Sequence, residues 1–161
     1  MDEQLTALAG QVAARLSEKG MMLAAAESCT GGWVAKVCTD LAGSSGWFER
    51  GFVTYSNEAK REMLGVSLRT IAEHGAVSEA TVREMASGAL ARSRAQVSLA
   101  ISGIAGPGGG TEGKPVGMVW FAWATAGRVQ TKREYFSGNR EAVRRAAVIT
   151  ALEGVADVVG K

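Results

Sequence analysis

The sequence predicts an α/β fold, a partly parallel sheet covered by helices on both faces. Short apolar runs at residues 21–26, 51–55 and 97–101 alternate with longer segments of helical periodicity. Two further extended runs, 117–125 and 128–136, are separated only by Ala126-Gly127 and read as a hairpin, which makes the sheet mixed. With 161 residues, 47% of them hydrophobic, the chain is most simply one domain over residues 1–161, able to bury a core without disulfides or metals.

The elements follow in order. Leu5, Leu8, Val12 and Leu16 recur at helical spacing, and Gly20 stops them, which predicts an amphipathic helix over 2–19. The buried strand at 21–26 leads into a helix to about Leu41, and Gly43-Ser44-Ser45-Gly46 is a loop. After the strand at 51–55, helices are expected at 57–64 (ended by Gly65), 67–74 (ended by Gly75) and 79–94, with Ser78 as N-cap. Strand 97–101 and the hairpin precede a last helix from about Arg140 to Val158, capped by Asn139. The tryptophans at 33, 47, 120 and 123 read as core or interface, and an exposed Trp47-Phe48 beside Gly46 would mark a subunit contact.

Composition narrows the chemistry. A formal net charge of +2 does not argue for nucleic acid, and no run reaches the ~18 apolar residues that span a membrane. The acidic start, Met1-Asp2-Glu3-Gln4, lacks the form of a signal peptide, so a cytoplasmic protein is expected. Cys29, Cys38 and the single histidine, His74, do not make up a zinc set, so no metal is expected. His74 precedes Gly75 at an expected helix end, which leaves lysine as the leading base for any hydrolase.

In parallel sheets ligands bind beyond the carboxyl ends of the strands. Three such ends carry polar or glycine-rich sequence: Glu27-Ser28-Cys29-Thr30-Gly31-Gly32, Tyr55-Ser56-Asn57-Glu58-Ala59-Lys60, and Ser102-Gly103-Ile104-Ala105-Gly106-Pro107 with the glycines beyond it. Ser28 stands where a strand hands over to a helix N-terminus whose unpaired N–H groups, around Thr30 and Gly31, suit an oxyanion. Lys60 is placed to act as its base if burial or neighbouring cations lower its pKa, and the Tyr55 phenol, between the two, to relay a proton or orient the amine. Cys29 is the rival nucleophile. A role for Ser28 or Thr30 as a helix cap, with Lys60 solvated, stays open at this point. The glycine-rich loop is not a P-loop, because Gly-x4-Gly-Lys-Ser/Thr is absent; Lys114 and Arg140 are its possible phosphate partners.

Ala26-Glu27-Ser28-Cys29-Thr30-Gly31-Gly32, Phe52-Val53-Thr54-Tyr55-Ser56-Asn57-Glu58-Ala59-Lys60, His74-Gly75-Ala76-Val77-Ser78 and Ser102-Gly103-Ile104-Ala105-Gly106-Pro107 with Lys114-Pro115-Val116-Gly117 closely resemble the CinA C-terminal domain family. The resemblance covers nearly the whole chain. It implies a three-layer α/β/α sandwich with a mixed, mostly parallel five-stranded sheet, and commonly a homodimer. It also implies hydrolysis of the carboxamide of nicotinamide mononucleotide to nicotinate mononucleotide and ammonia, with no cofactor. The family's serine nucleophile falls on Ser28, and its tyrosine and lysine fall on Tyr55 and Lys60. Oxyanion and substrate contacts are expected from Thr30, Gly31, Gly32, Ser102, Gly103, Ala105 and Gly106, and a phosphate-binding arginine from Arg140, Arg144 or Arg145, with Arg140 preferred. The alternatives are an amidase acting on another nucleotide and a non-catalytic nucleotide-binding or adaptor module.

Overall fold

The computed structural model describes residues 2–160. Helix α1 spans Glu3–Lys19; the Asp2 carboxylate caps it by accepting from the Leu5 N–H, and Gly20 ends it. Its apolar stripe, Leu5, Ala9, Val12 and Leu16, is buried. Strand β1 (Leu23–Glu27) is followed by helix α2 (Trp33–Thr39), a single 3-10 turn at Ser44–Gly46, and strand β2 (Phe48–Val53). Helices α3 (Asn57–Leu64), α4 (Leu68–His74) and α5 (Glu79–Ala91) come next, capped by Ser56, Ser67 and Ser78. Strand β3 (Val97–Gly103), the hairpin strands β4 (Met118–Thr125) and β5 (Arg128–Tyr135), and helix α6 (Arg140–Val159) complete the chain, with Asn139 capping α6.

The five strands form one sheet in the order β2-β1-β3-β4-β5. β1 pairs in parallel with both β2 and β3, while β3 with β4 and β4 with β5 pair antiparallel, so four strands run one way and β4 against them. β2 and β5 are the sheet edges. In the register, Glu27 lies opposite Val53 on one side and Ile101 on the other. Ser28 and Thr54, just past the ends of β1 and β2, therefore stand level with Ser102 near the end of β3, on the side where parallel sheets bind ligands.

Period-two alternation divides the sheet between two cores. One face of the strands (Leu23, Ala25, Leu99, Ile101, Val119, Phe121, Trp123) packs against α1, α2 and α6. The other presents small residues (Ala26, Ala100, Ala122, Ala124) to α3 and α5, which come close because nothing larger intervenes. The result is a three-layer α/β/α sandwich.

Two expectations change in detail. β2 starts three residues earlier than expected and ends at Val53, because the Thr54 N–H donates to the Glu27 carbonyl at 2.8 Å and the chain then leaves the sheet. Trp47 is 3% exposed, just before that strand, where its carbonyl accepts from the Leu23 N–H; it belongs to the core and is not the exposed tryptophan expected. No helix of the described residues is long and apolar enough to cross a membrane.

Contact between α3 and α5 depends on Gly88. A Cβ there would lie 1.9 Å from the Leu64 carbonyl oxygen at the end of α3, an overlap with main chain that no rotamer relieves. Gly88→Ala is expected to lower stability by about 1–3 kcal/mol, the usual range for forcing atoms into a filled interior. Urea unfolding of the variant beside the wild type checks this.

Candidate active site

Ser28 and Lys60 meet as the sequence predicts. Lys60 is the fourth residue of α3, 1% exposed, and its Nζ lies 3.0 Å from the Ser28 Oγ. The amine also donates to the Thr54 carbonyl at 3.0 Å and the Tyr55 carbonyl at 3.4 Å. It forms no ion pair among the described residues. Burial pushes its pKa below the ordinary lysine value, with the Cys29 thiol opposing in part. An ammonium would use all three acceptors. A neutral amine would give its two N–H groups to the carbonyls and turn its lone pair to Ser28.

These groups share a cavity of about 250 Å³ lined by Ser28, Cys29, Asn57, Ser102, Ala105 and Arg140, among others. Tyr55 is at its mouth rather than between Ser28 and Lys60. The side chain is 63% exposed, and its hydroxyl accepts from Arg140 at 3.2 Å. The second Arg140 nitrogen donates to the Gly106 carbonyl at 2.9 Å, fixing the guanidinium across the opening. Ser102 donates to the Ala76 carbonyl and ties the loop after β3 to the segment before α5. Lys114 reaches the His74 carbonyl instead of the cavity, so it serves as a strut for that loop. Cys29 lines the cavity, but burial pushes its thiol up to about 11, which keeps it protonated and weakens it as a rival nucleophile.

The turn after Ser28 departs from expectation. The first N–H groups of α2 are not free, because the buried Glu27 carboxylate accepts from Val34 at 2.9 Å and Ala35 at 3.0 Å. It also accepts from the Thr30 hydroxyl at 2.6 Å. The Gly31 N–H closes a turn onto the Ser28 carbonyl, whereas the Cys29 and Thr30 N–H groups have no protein acceptor among the described residues. Gly31 and Gly32 adopt φ of 59° and 101°, a left-handed pair that lets the chain reverse into α2. They border a separate shallow concavity with Trp33, Lys36 and Arg144.

The three candidate arginines separate cleanly. Arg145 is paired with Asp2 at 2.6 Å, an interaction that holds the Asp2 carboxyl down at about 2. Arg144 lies over the Trp33 ring and donates to the carbonyls of Cys29 (3.0 Å) and Thr30 (3.2 Å). Only Arg140 borders the Ser28 cavity. Sequence reasoning missed the parts played by Glu27 and Arg144. The available signal was an acid at the end of an otherwise apolar strand. A larger groove of about 540 Å³ between α1, α6 and β5 has only exposed ionisable side chains.

Because Lys60 titrates below its ordinary 10.5 when folded, the unfolded chain binds more protons between the folded value and 10.5. Wild-type stability therefore gains on that of Lys60→Met as pH rises through this window. Urea unfolding of both proteins between about pH 7 and pH 10 measures the difference. A difference that stays flat would contradict the lowered pKa.

Residues 5–159 match the CinA C-terminal domain family. The chain is 62% identical over 153 residues to the nicotinamide-nucleotide amidohydrolase PncC of Escherichia coli K12, covering 94% of this chain and 93% of that one. It is 47% identical to the Pseudomonas putida protein of the same name, covering 95% and 96%. The crystal structure of the competence/damage inducible protein CihA from Agrobacterium tumefaciens superposes with a TM-score of 0.95 at 44% identity, covering 100% of this chain and 98% of that one. Matched over its whole sheet, both helical layers and the Ser28 and Lys60 segments, the chain belongs to the CinA C-terminal domain family.

Proposed function

We propose that this protein is an amidohydrolase that removes the carboxamide nitrogen of nicotinamide mononucleotide, giving nicotinate mononucleotide and ammonia. The observation that carries the reading is a buried lysine amine, without a counter-charge, 3.0 Å from a serine hydroxyl in a cavity. Similarity to the nicotinamide-nucleotide amidohydrolases supports the substrate.

In this mechanism neutral Lys60 takes the Ser28 proton as Oγ attacks the carboxamide carbon. The Cys29 and Thr30 N–H groups are the candidate donors to the developing oxyanion, each worth about 3–4 kcal/mol of barrier in comparable sites. The Lys60 ammonium then protonates the leaving nitrogen, ammonia departs, and a nicotinoyl ester remains on Ser28. Water, deprotonated by the same amine, cleaves that ester to nicotinate and restores the serine. The cationic pyridinium ring draws electrons from the carboxamide and assists the attack. Arg140 faces the phosphate, and Tyr55 orients Arg140 and flanks the entrance, a binding role that replaces the expected proton relay. Ser102, Gly103 and Ala105 form the wall against which the ribose rests, and the Gly106 carbonyl holds Arg140 beside it.

Purified, chelator-treated protein is expected to release ammonia from nicotinamide mononucleotide. Ser28→Ala and Lys60→Ala should each lower kcat by roughly a thousandfold or more. Ser28→Ala should keep its affinity for the nucleotide, and a wild type that binds it without turnover would favour a binding module. Arg140→Ala should raise KM about 10- to 100-fold, the loss typical of a charged hydrogen bond, with little change on a substrate lacking the phosphate.

A further inference from the structure

Glu27 takes no part in those steps, yet it is a carboxylate at 1% exposure immediately before the nucleophile. Its main chain belongs to the sheet, where the carbonyl accepts from Thr54 at 2.8 Å. Its side chain belongs to α2, through the Val34 and Ala35 N–H groups. Residues 28–32 are thus a short loop closed at both ends by one residue. Inside the loop the same carboxylate holds the Thr30 hydroxyl. Gly32, at the N-cap position of α2, has no side chain to cap with, so the helix depends on Glu27 for those bonds. Arg144 grips the outward carbonyls of Cys29 and Thr30, which leaves the turn little freedom to tilt.

We propose that Glu27 is a positioning residue whose carboxylate staples α2 to β1 and thereby holds the Ser28 Oγ on the Lys60 amine. It touches neither substrate nor reacting atoms. The kinetic part of the proposal rests on the amidase reading above; the geometric part does not. Glutamine has the same size, but with its oxygen on the Thr30 hydroxyl and the Val34 N–H its NH2 faces the Ala35 N–H, donor against donor, so the staple loosens without leaving a cavity.

The test compares the wild type with Glu27→Gln by kcat and KM on nicotinamide mononucleotide, thermal unfolding and a crystal structure. A displacement near 1 Å predicts about a 100-fold fall in kcat, with KM within about threefold, in a protein that still unfolds cooperatively. The Ser28–Lys60 separation should grow beyond a reach of about 3.2 Å. A kcat within about threefold of wild type would overturn the proposal, as would a slow variant whose Ser28–Lys60 contact is unchanged. If Glu27→Gln does not fold, Glu27→Asp keeps the charge but shortens its reach to the Val34 and Ala35 N–H groups; about a tenfold fall in kcat at constant KM supports the proposal, and no change overturns it. A wild type inactive on the nucleotide sinks the amidase reading alone. The Ser28–Lys60 distance in the variant structure then decides the role of Glu27.

Discussion

A lysine amine buried without a carboxylate partner among the described residues is the constraint around which the rest of this structure is arranged. Removing an ammonium from water is unfavourable by several kcal/mol unless it is paired. Here the relief comes from one hydroxyl and two main-chain carbonyls, which serve a neutral amine as well as a charged one. Such a set leaves the proton weakly held, the property a base near neutrality needs. A carboxylate in the same place would have raised the lysine pKa and kept the amine protonated near neutrality.

Topology supplies the carbonyls and the hydroxyl together. β1 and β2 run in parallel, so the residues that follow them, Ser28 and Thr54-Tyr55, emerge side by side, and α3 turns back over them to deliver Lys60. On the other flank β3 brings up the loop that walls the cavity, and the first residue of α6 brings Arg140 to its mouth. β1, β3 and α6 have their bodies in the larger of the two cores, so the groups they present stand on regular elements.

Element identity was readable because periodicity and caps agree: Ser78 and Asn139, the expected N-caps, each precede a helix and accept from its first turn. Ser28 and Lys60 were readable because strand ends in parallel sheets converge. What the residues could not reveal was orientation. Tyr55 belonged to a strand by pattern, but the ladder ends at Val53 and the phenol swings out to Arg140. Arg140 and Arg144 share a helical face, and only their height along α6 separates a cavity arginine from one spent on the turn after Ser28. Glu27 read as the polar end of a strand, since nothing in a linear sequence says that its side chain reaches seven and eight positions onward.

Half of the Ser28–Lys60 pair hangs from an edge of the sheet. β2, which leads into α3, has an open hydrogen-bonding side, the kind of surface on which chains add to one another as fibrils grow. On β2 the Glu49–Arg50 pair is drawn inward, Glu49 accepting from the Arg94 N–H and Arg50 donating to the Arg92 carbonyl, while β5 at the opposite edge carries Arg128, Lys132, Arg133 and Glu134. Charged borders of this kind discourage strand addition. These side chains lie outside the Ser28 cavity, so a sequence stripped of them would leave its lining intact while making the borders easier for another strand to join.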